Sequence, residues 1–261
     1  MLRLEAIPFR SALALWAFVT LTETHVEQML KAGFIAWELL EELADVRLFH
    51  TFYIGNALPY VKGIHPLSFD KATKMNLRSY LAQSPDLSDL SLADGFASQW
   101  RSKRLNKGAR LTHQEQPASD EYILLDGCLA STICDPDGKE VCVGLFVGPC
   151  VVTPNIARTR DGVSLVSIQA TKEASLYWID TDQLTNLMID SEPIRNWANG
   201  VLGRALSEKA EHEWCLAALG GAERLNWFRQ AFPSYEDIFT HSLIASFLGI
   251  TPVTMSRLRA R

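Results

Sequence analysis

Apolar positions along the chain change their spacing twice, and each change marks a change of element type. In HVEQMLKAGFIAWELLEELADVRLF, residues Met29, Leu30, Phe34, Trp37, Leu40 and Leu43 recur at helical spacing, with Glu41, Glu42 and Asp45 between them. Residues 1–74 therefore read as helical, with Gly55, Pro59, Gly63 and Pro66 breaking the later part. From Met75, MNLRSYLAQSPDLSDLSLADGFASQW predicts one or two short helices around a loop at Pro85. The spacing then turns strand-like at Arg101. KRLNKGARLTH has a glycine turn between short alternating runs. EYILLDGCLASTIC and KEVCVGLFVG are apolar runs with β-branched residues on either side of the turn DPDG, Asp135 to Gly138. VSLVSIQAT and ASLYWID add two more. Short strands at regular spacing predict an antiparallel roll or barrel.

Helical spacing returns from about Thr181 to Leu219, with Pro193 suited to the first turn of a long helix. Its stripe comprises Ile194, Trp197, Val201, Leu202, Leu206, Ala210 and Cys215. Periodicity alone fits packing on the chain's own roll as well as packing on a second copy. Gly220 and Gly221 end this helix, and AERLNWFRQAFP forms a short one closed by Pro233.

The last eighteen residues, IASFLGITPVTMSRLRAR, carry the most specific pattern. Two short helices meet at Gly249, with Ile244, Leu248, Met255 and Leu258 as apolar positions and Ile250 in the turn. Ala245 is small enough for close approach, and Gly249 suits a left-handed turn. Thr251 can cap the second helix, with Pro252 in its first turn. This is the order of a helix-turn-helix, whose second helix enters the major groove. Thr251, Thr254 and Ser256 offer hydroxyls to phosphates near a helix N-terminus. Arg257 can reach a guanine edge, while Arg259 and Arg261 are expected to meet the DNA backbone.

Composition narrows the picture further. The chain has 261 residues, 48% hydrophobic and 21% charged, with a formal net charge of −5, so contact with nucleic acid must come from a local patch. Cys128, Cys134, Cys142, Cys150 and Cys215 form no CxxC pair and read as small buried thiols at strand positions in a reducing compartment. No metal-ligand spacing and no cofactor motif is present, nor any phosphate loop or nucleophile elbow, so an enzyme is not expected. SALALWAFVTL, Ser11 to Leu21, is too short to span a membrane, which points to a cytoplasmic protein with no membrane partner.

In order, these parts resemble the Crp/Fnr family of transcription regulators, with a cyclic-nucleotide-binding-like β-roll, a long helix and a terminal helix-turn-helix. The resemblance runs from Met75 to Arg261 through LNKGARLTHQEQPASDEYILLDGCLA, DPDGKEVCVGLFVGP, ALGGAERLNWFRQAFP and the terminal segment. It implies an α+β architecture with a helical extension over 1–74, a jelly-roll domain over 75–182, a dimerisation helix over 183–220 and a DNA-binding domain over 221–261. Met75 is accordingly read as an alternative native start. The family's long helix pairs two protomers, which assigns Trp197, Val201, Leu202 and Leu206 to a homodimer interface. The partners implied are double-stranded DNA at a near-palindromic operator and a second copy of the chain.

Members that bind cyclic AMP carry a Gly-Glu pair for the ribose and an Arg-Ser/Thr pair for the phosphate. Here Gly148 is kept, but Pro149 replaces the glutamate, and Ser164 and Leu165 stand in place of the arginine pair. Arg158 and Arg160 are out of register and read as exposed loop residues. A cyclic phosphate without its arginine binds poorly, so cyclic AMP is not the expected effector; an unidentified small molecule remains an option. The competing reading is a ligand-sensing or protein-interaction module with a degenerate helix-turn-helix.

Overall fold

The protein is described by a computed structural model over residues 75–260. The helical reading of residues 1–74, and Arg261, lie outside the described residues. Asn76 accepts a hydrogen bond from Ser79 N and opens α1 (Leu77–Leu81). The Asp89 carboxylate accepts from Ser91 N and Leu92 N and opens α2 (Leu90–Ser98). A single 3-10 turn, Pro85–Leu87, fills the loop expected at Pro85.

The roll follows. Its strands are β1 (Arg101–Leu105), β2 (Arg110–Thr112), β3 (Asp120–Asp126), β4 (Cys128–Cys134), β5 (Glu140–Val147) and β6 (Cys150–Val151). The short helix α3 (Asn155–Arg158) leads to a small hairpin of β7 (Thr159–Arg160) and β8 (Val163–Ser164), and β9 (Ser167–Ala170) and β10 (Ala174–Asp180) close the domain. Two four-stranded sheets result, ordered β1-β10-β3-β6 and β2-β9-β4-β5, with antiparallel pairing throughout. The runs on either side of the Gly108 turn thus enter different sheets. The DPDG segment makes the expected hairpin, the Asp135 carboxylate accepting from Asp137 N and Lys139 N.

Alternation along β3 explains why its apolar run is continuous. Tyr122 and Leu124 join the interior cluster with Leu129, Ile168 and Leu176, whereas Ile123 belongs to the cluster of the covering helices. Sheet β2-β9-β4-β5 is covered too. Leu129 points inward while Cys128 and Ala130 face the C-terminal helices. On β5 the register steps from Ser131↔Gly144 to Thr132↔Cys142, leaving Val143 as a bulge. The bulge brings Cys142 and Leu145 to the same outer face.

The helical stretch from Thr181 divides at Ser191 into α4 (Thr181–Asp190) and the 27-residue α5 (Glu192–Ala218). Pro193 lies in the first turn of α5, as its chemistry demands. Ile194, Trp197 and Val201 are buried with Phe96, Trp100, Ile123 and Ile179. Trp197 meets Phe96 edge-on at 5.3 Å and Trp100 at 6.5 Å. Of the residues assigned to a dimer interface, Trp197 and Val201 pack within the roll's own helical cover in the single chain. Leu202 is only half-buried and Leu206 is 54% exposed. The C-terminal region comprises α6 (Gly221–Ala231), α7 (Tyr235–Ile238), α8 (His241–Phe247) and α9 (Pro252–Arg259). Sequence spacing runs EDIF and the following residues together, but Thr240 interrupts them by capping α8 at Leu243 N.

Candidate nucleic-acid interface and the pocket of the roll

The α8–α9 pair forms from local signals. Gly249 has φ +61°, the left-handed conformation that ends α8. Thr251 accepts from Thr254 N at 3.1 Å, and its hydroxyl lies 2.9 Å from that of Thr254. Ile244, Ala245, Leu248 and Met255 are fully buried, and Leu258 packs against them half-buried. What this leaves on the outer side of α9 is Pro252, Val253, Ser256 and Arg257, all exposed.

Of the arginines, Arg257 is exposed and makes no hydrogen bond or ion pair among the described residues. Arg259 is engaged within the chain, its Nε 3.3 Å from Glu236 and its Nη1 3.0 Å from His241 Nδ1. Glu236 also accepts from Arg229 Nε at 2.6 Å. That hydrogen bond, followed by the charges of Arg229, Arg259 and His241, holds the Glu236 carboxyl below the usual range. Arg261 lies outside the described residues.

Two further contacts tie α8 to the rest of the protein. Cys142 N on β5 donates to Ser246 Oγ at 2.9 Å, and the outer face of β4–β5 shares one apolar cluster with Phe228, Ile244, Phe247 and Met255. At the end of α5, His212 donates to Phe247 O at 2.8 Å and stacks on the Phe247 ring at 3.9 Å. Burial lowers the His212 pKa, the bond to Phe247 opposing it and Lys209 adding to it. Arg224 donates to Leu219 O, Leu216 O and Leu248 O at 2.9, 2.7 and 3.0 Å. Neither residue stands out in the sequence, because their partners are main-chain carbonyls, which every residue carries whatever its side chain.

The roll's pocket positions are filled by its own chemistry. A Cβ on Gly148 would stand 2.7 Å from Asp126 N, so only glycine permits β5 to turn this close to β3. Pro149 follows it at half-burial. The buried Ser164 hydroxyl donates to Val166 O at 2.7 Å, and Leu165 is 41% exposed. No cation arises from these positions. Arg160 is exposed as expected, but Arg158 is not, being only 2% exposed. Its Nε donates to Thr153 O at 3.0 Å, its Nη2 donates to Asp120 O, and the guanidinium lies 5.1 Å from the Tyr122 ring centroid. Nη1 is buried without a hydrogen-bond partner. Beside it the buried Glu121 carboxylate accepts from Asn155 N at 2.9 Å.

All five cysteines are free; Cys128, Cys142 and Cys215 are buried, Cys150 is half-buried and Cys134 is exposed. Cys215 lies in α5, on the helical stripe read from the sequence, whereas Cys134 departs from the expectation of a buried thiol. Burial raises the thiol pKa of Cys142 and Cys150 to about 12. Among the described residues no group of three or more His, Cys, Asp or Glu is placed to hold a metal ion. None of their helices is long and apolar enough to cross a membrane.

Comparison with known proteins agrees with this architecture. The cyclic nucleotide-binding domain family matches residues 102–191. No curated protein sequence matches the chain. FixK2 from Bradyrhizobium japonicum superposes with a TM-score of 0.55 at 16% identity, covering 62% of this chain and 83% of that one. A CooA mutant from Carboxydothermus hydrogenoformans gives 0.55 at 18% identity, over 72% and 84%. The c-di-GMP responsive global regulator CLP of Xanthomonas campestris gives 0.54 at 14% identity, over 66% and 90%. At these identities the likeness is one of fold. Residues 102–191 thus match the cyclic nucleotide-binding domain family, and the described chain shares its fold with these solved structures.

Proposed function

We propose that the protein is a homodimeric, sequence-specific DNA-binding transcription regulator of the Crp/Fnr type, acting in the cytoplasm. The observation that carries this reading is the α8–α9 pair, with its apolar side locked inward and Ser256 and Arg257 presented on an otherwise unoccupied outer face. Arg257 reads a base edge; Thr251, Thr254 and Ser256 serve phosphates near the start of α9. Arg259 and Arg261 contribute to the backbone, Arg259 only as far as it leaves Glu236. Two copies joined along the exposed half of α5 set the reading helices about 34 Å apart, one turn of DNA, so the operator is a near-palindrome.

Cyclic AMP is not the effector on this reading. Ser164 and Leu165 bring no cation to the phosphate position, Gly148 and Pro149 bring no carboxylate to the ribose, and Arg158 is already committed to main-chain carbonyls. Any effector is a different small molecule.

Selection of bound sequences from a random DNA pool tests the proposal, using the full chain at near-physiological salt, with and without cell metabolites. The expected result is enrichment of a near-palindrome. Arg257→Ala then relaxes preference at one base position per half-site, at about 1–3 kcal/mol. Absence of any enriched sequence in either condition would turn the reading toward a protein-interaction module.

A further inference from the structure

The end of α5 and the end of α8 meet at one side chain. Leu216 O belongs to the last turn of α5, Leu219 is the residue that closes it, and Leu248 closes α8. Helix C-termini leave carbonyls without partners inside the helix, and both ends carry partial negative charge. Arg224, from the neighbouring α6, answers both with a single planar group: Nε to Leu219 O, Nη2 to Leu216 O and Nη1 to Leu248 O, at 2.9, 2.7 and 3.0 Å. The fit is close, since a Cβ on Gly249 would stand 3.1 Å from Arg224 Nη1 and 3.3 Å from Leu216 Cδ2. One turn earlier on α5, His212 takes the adjacent carbonyl, Phe247 O.

We propose that Arg224 is a positioning residue that fixes the angle between the long helix and the reading pair. Three rigid hydrogen bonds to two helices set a direction as well as a distance, which the apolar contact of α8 with β4–β5 does not, because burial is non-directional. An angle at this joint becomes a separation between reading helices once two copies pair along α5. That consequence rests on the DNA-reading proposal; the positioning itself does not.

The test uses the full chain in a Cys134→Ser background, spin-labelled at Ser207→Cys on α5 and Val253→Cys on α9, and diluted with unlabelled protein so that only distances within one protomer are read. Without Arg224 replaced, pulsed EPR is expected to give one narrow distance. Arg224→Ala, or Arg224→Lys where the alanine variant does not fold, is expected to broaden or shift it while the thermal unfolding of the roll stays in place. An unchanged distance distribution overturns the proposal. In the second arm, Arg224→Lys is expected to lose roughly tenfold in affinity for the selected near-palindrome and under about twofold for an isolated half-site. Equal losses on both DNAs overturn positioning in favour of a role in the stability of the reading pair. Should the unsubstituted protein select no DNA, the DNA-reading proposal falls, and the EPR distances alone decide the role of Arg224.

Discussion

Glu121 and Arg158 sit side by side at the edge of the roll, yet they do not form an ion pair within the usual contact distance. Arg158 gives its donors to the carbonyls of Thr153 and Asp120, and Glu121 takes the main-chain N–H of Asn155. Burial pushes the Glu121 carboxyl up to about 7, against the downward pull of the Asn155 N–H and the Arg158 charge. The folded-state value thus lies above the unfolded one. The contribution of Glu121 to stability is fully present below the ordinary carboxylate range and is lost as pH rises through about 7. Thermal unfolding followed between acidic and mildly alkaline pH is expected to show this decline, on the order of 1–3 kcal/mol, and Glu121→Gln is expected to flatten it. A slope that survives the substitution would assign the effect to another group. The sequence could not announce this pair. Arg158 stands in ARTRDG, a stretch whose charges and glycine read as exposed loop, and only the return of the chain beneath β3 buries it.

At the level of elements, legibility follows the range of the interactions. The α8–α9 pair is written in residues a few positions apart: Thr251 capping Thr254, Pro252 in the first turn, Gly249 in the left-handed turn, Ala245 at the close approach. Every one of these appears in the structure where local chemistry puts it. The two-sheet roll could be read as a class of fold but not as a strand order, because β1 finds β10 and β2 finds β9 across most of the domain. The apolar stripe of α5 was undecidable for a different reason. A helix facing its own roll and a helix facing a second copy share one period. In the first half the helix packs on its own roll, where Trp197 lies edge-on to Phe96 and Trp100. Trp197→Ala is expected to cost about 3–5 kcal/mol by leaving a cavity among these rings, read as a fall in the urea midpoint. Its effect on the oligomeric state at low denaturant is expected to be nil, since the side chain faces inward.

At the largest scale, three apolar clusters lie in sequence among the described residues: helices α1, α2, α4 and the first half of α5 on one sheet, the interior between the sheets, and α6–α9 on the other sheet. The α8–α9 pair is thereby packed on the roll itself through Cys142, Leu145 and Ser246, and on α5 through His212 and Arg224. Beyond Val201 some apolar residues of the long helix face outward, although Cys215 stays buried and Leu202 is half-buried. Leu206 is 54% exposed and Trp214 38%. At 27 residues α5 is about 40 Å long, so this second half offers a stretch long enough for a paired helix. If that half is the homodimer seam, a charge placed in it must be desolvated on pairing, at several kcal/mol, while in a monomer it remains in water at little cost. Leu206→Glu is therefore expected to convert the protein to monomer in sedimentation equilibrium without lowering the unfolding temperature measured at high dilution. Affinity for a near-palindromic DNA is expected to fall toward that for one half-site, whereas half-site affinity is unchanged. A Leu206→Glu protein that sediments as the unsubstituted chain does would move the seam away from this face of α5, and with it the geometry that makes the operator a palindrome.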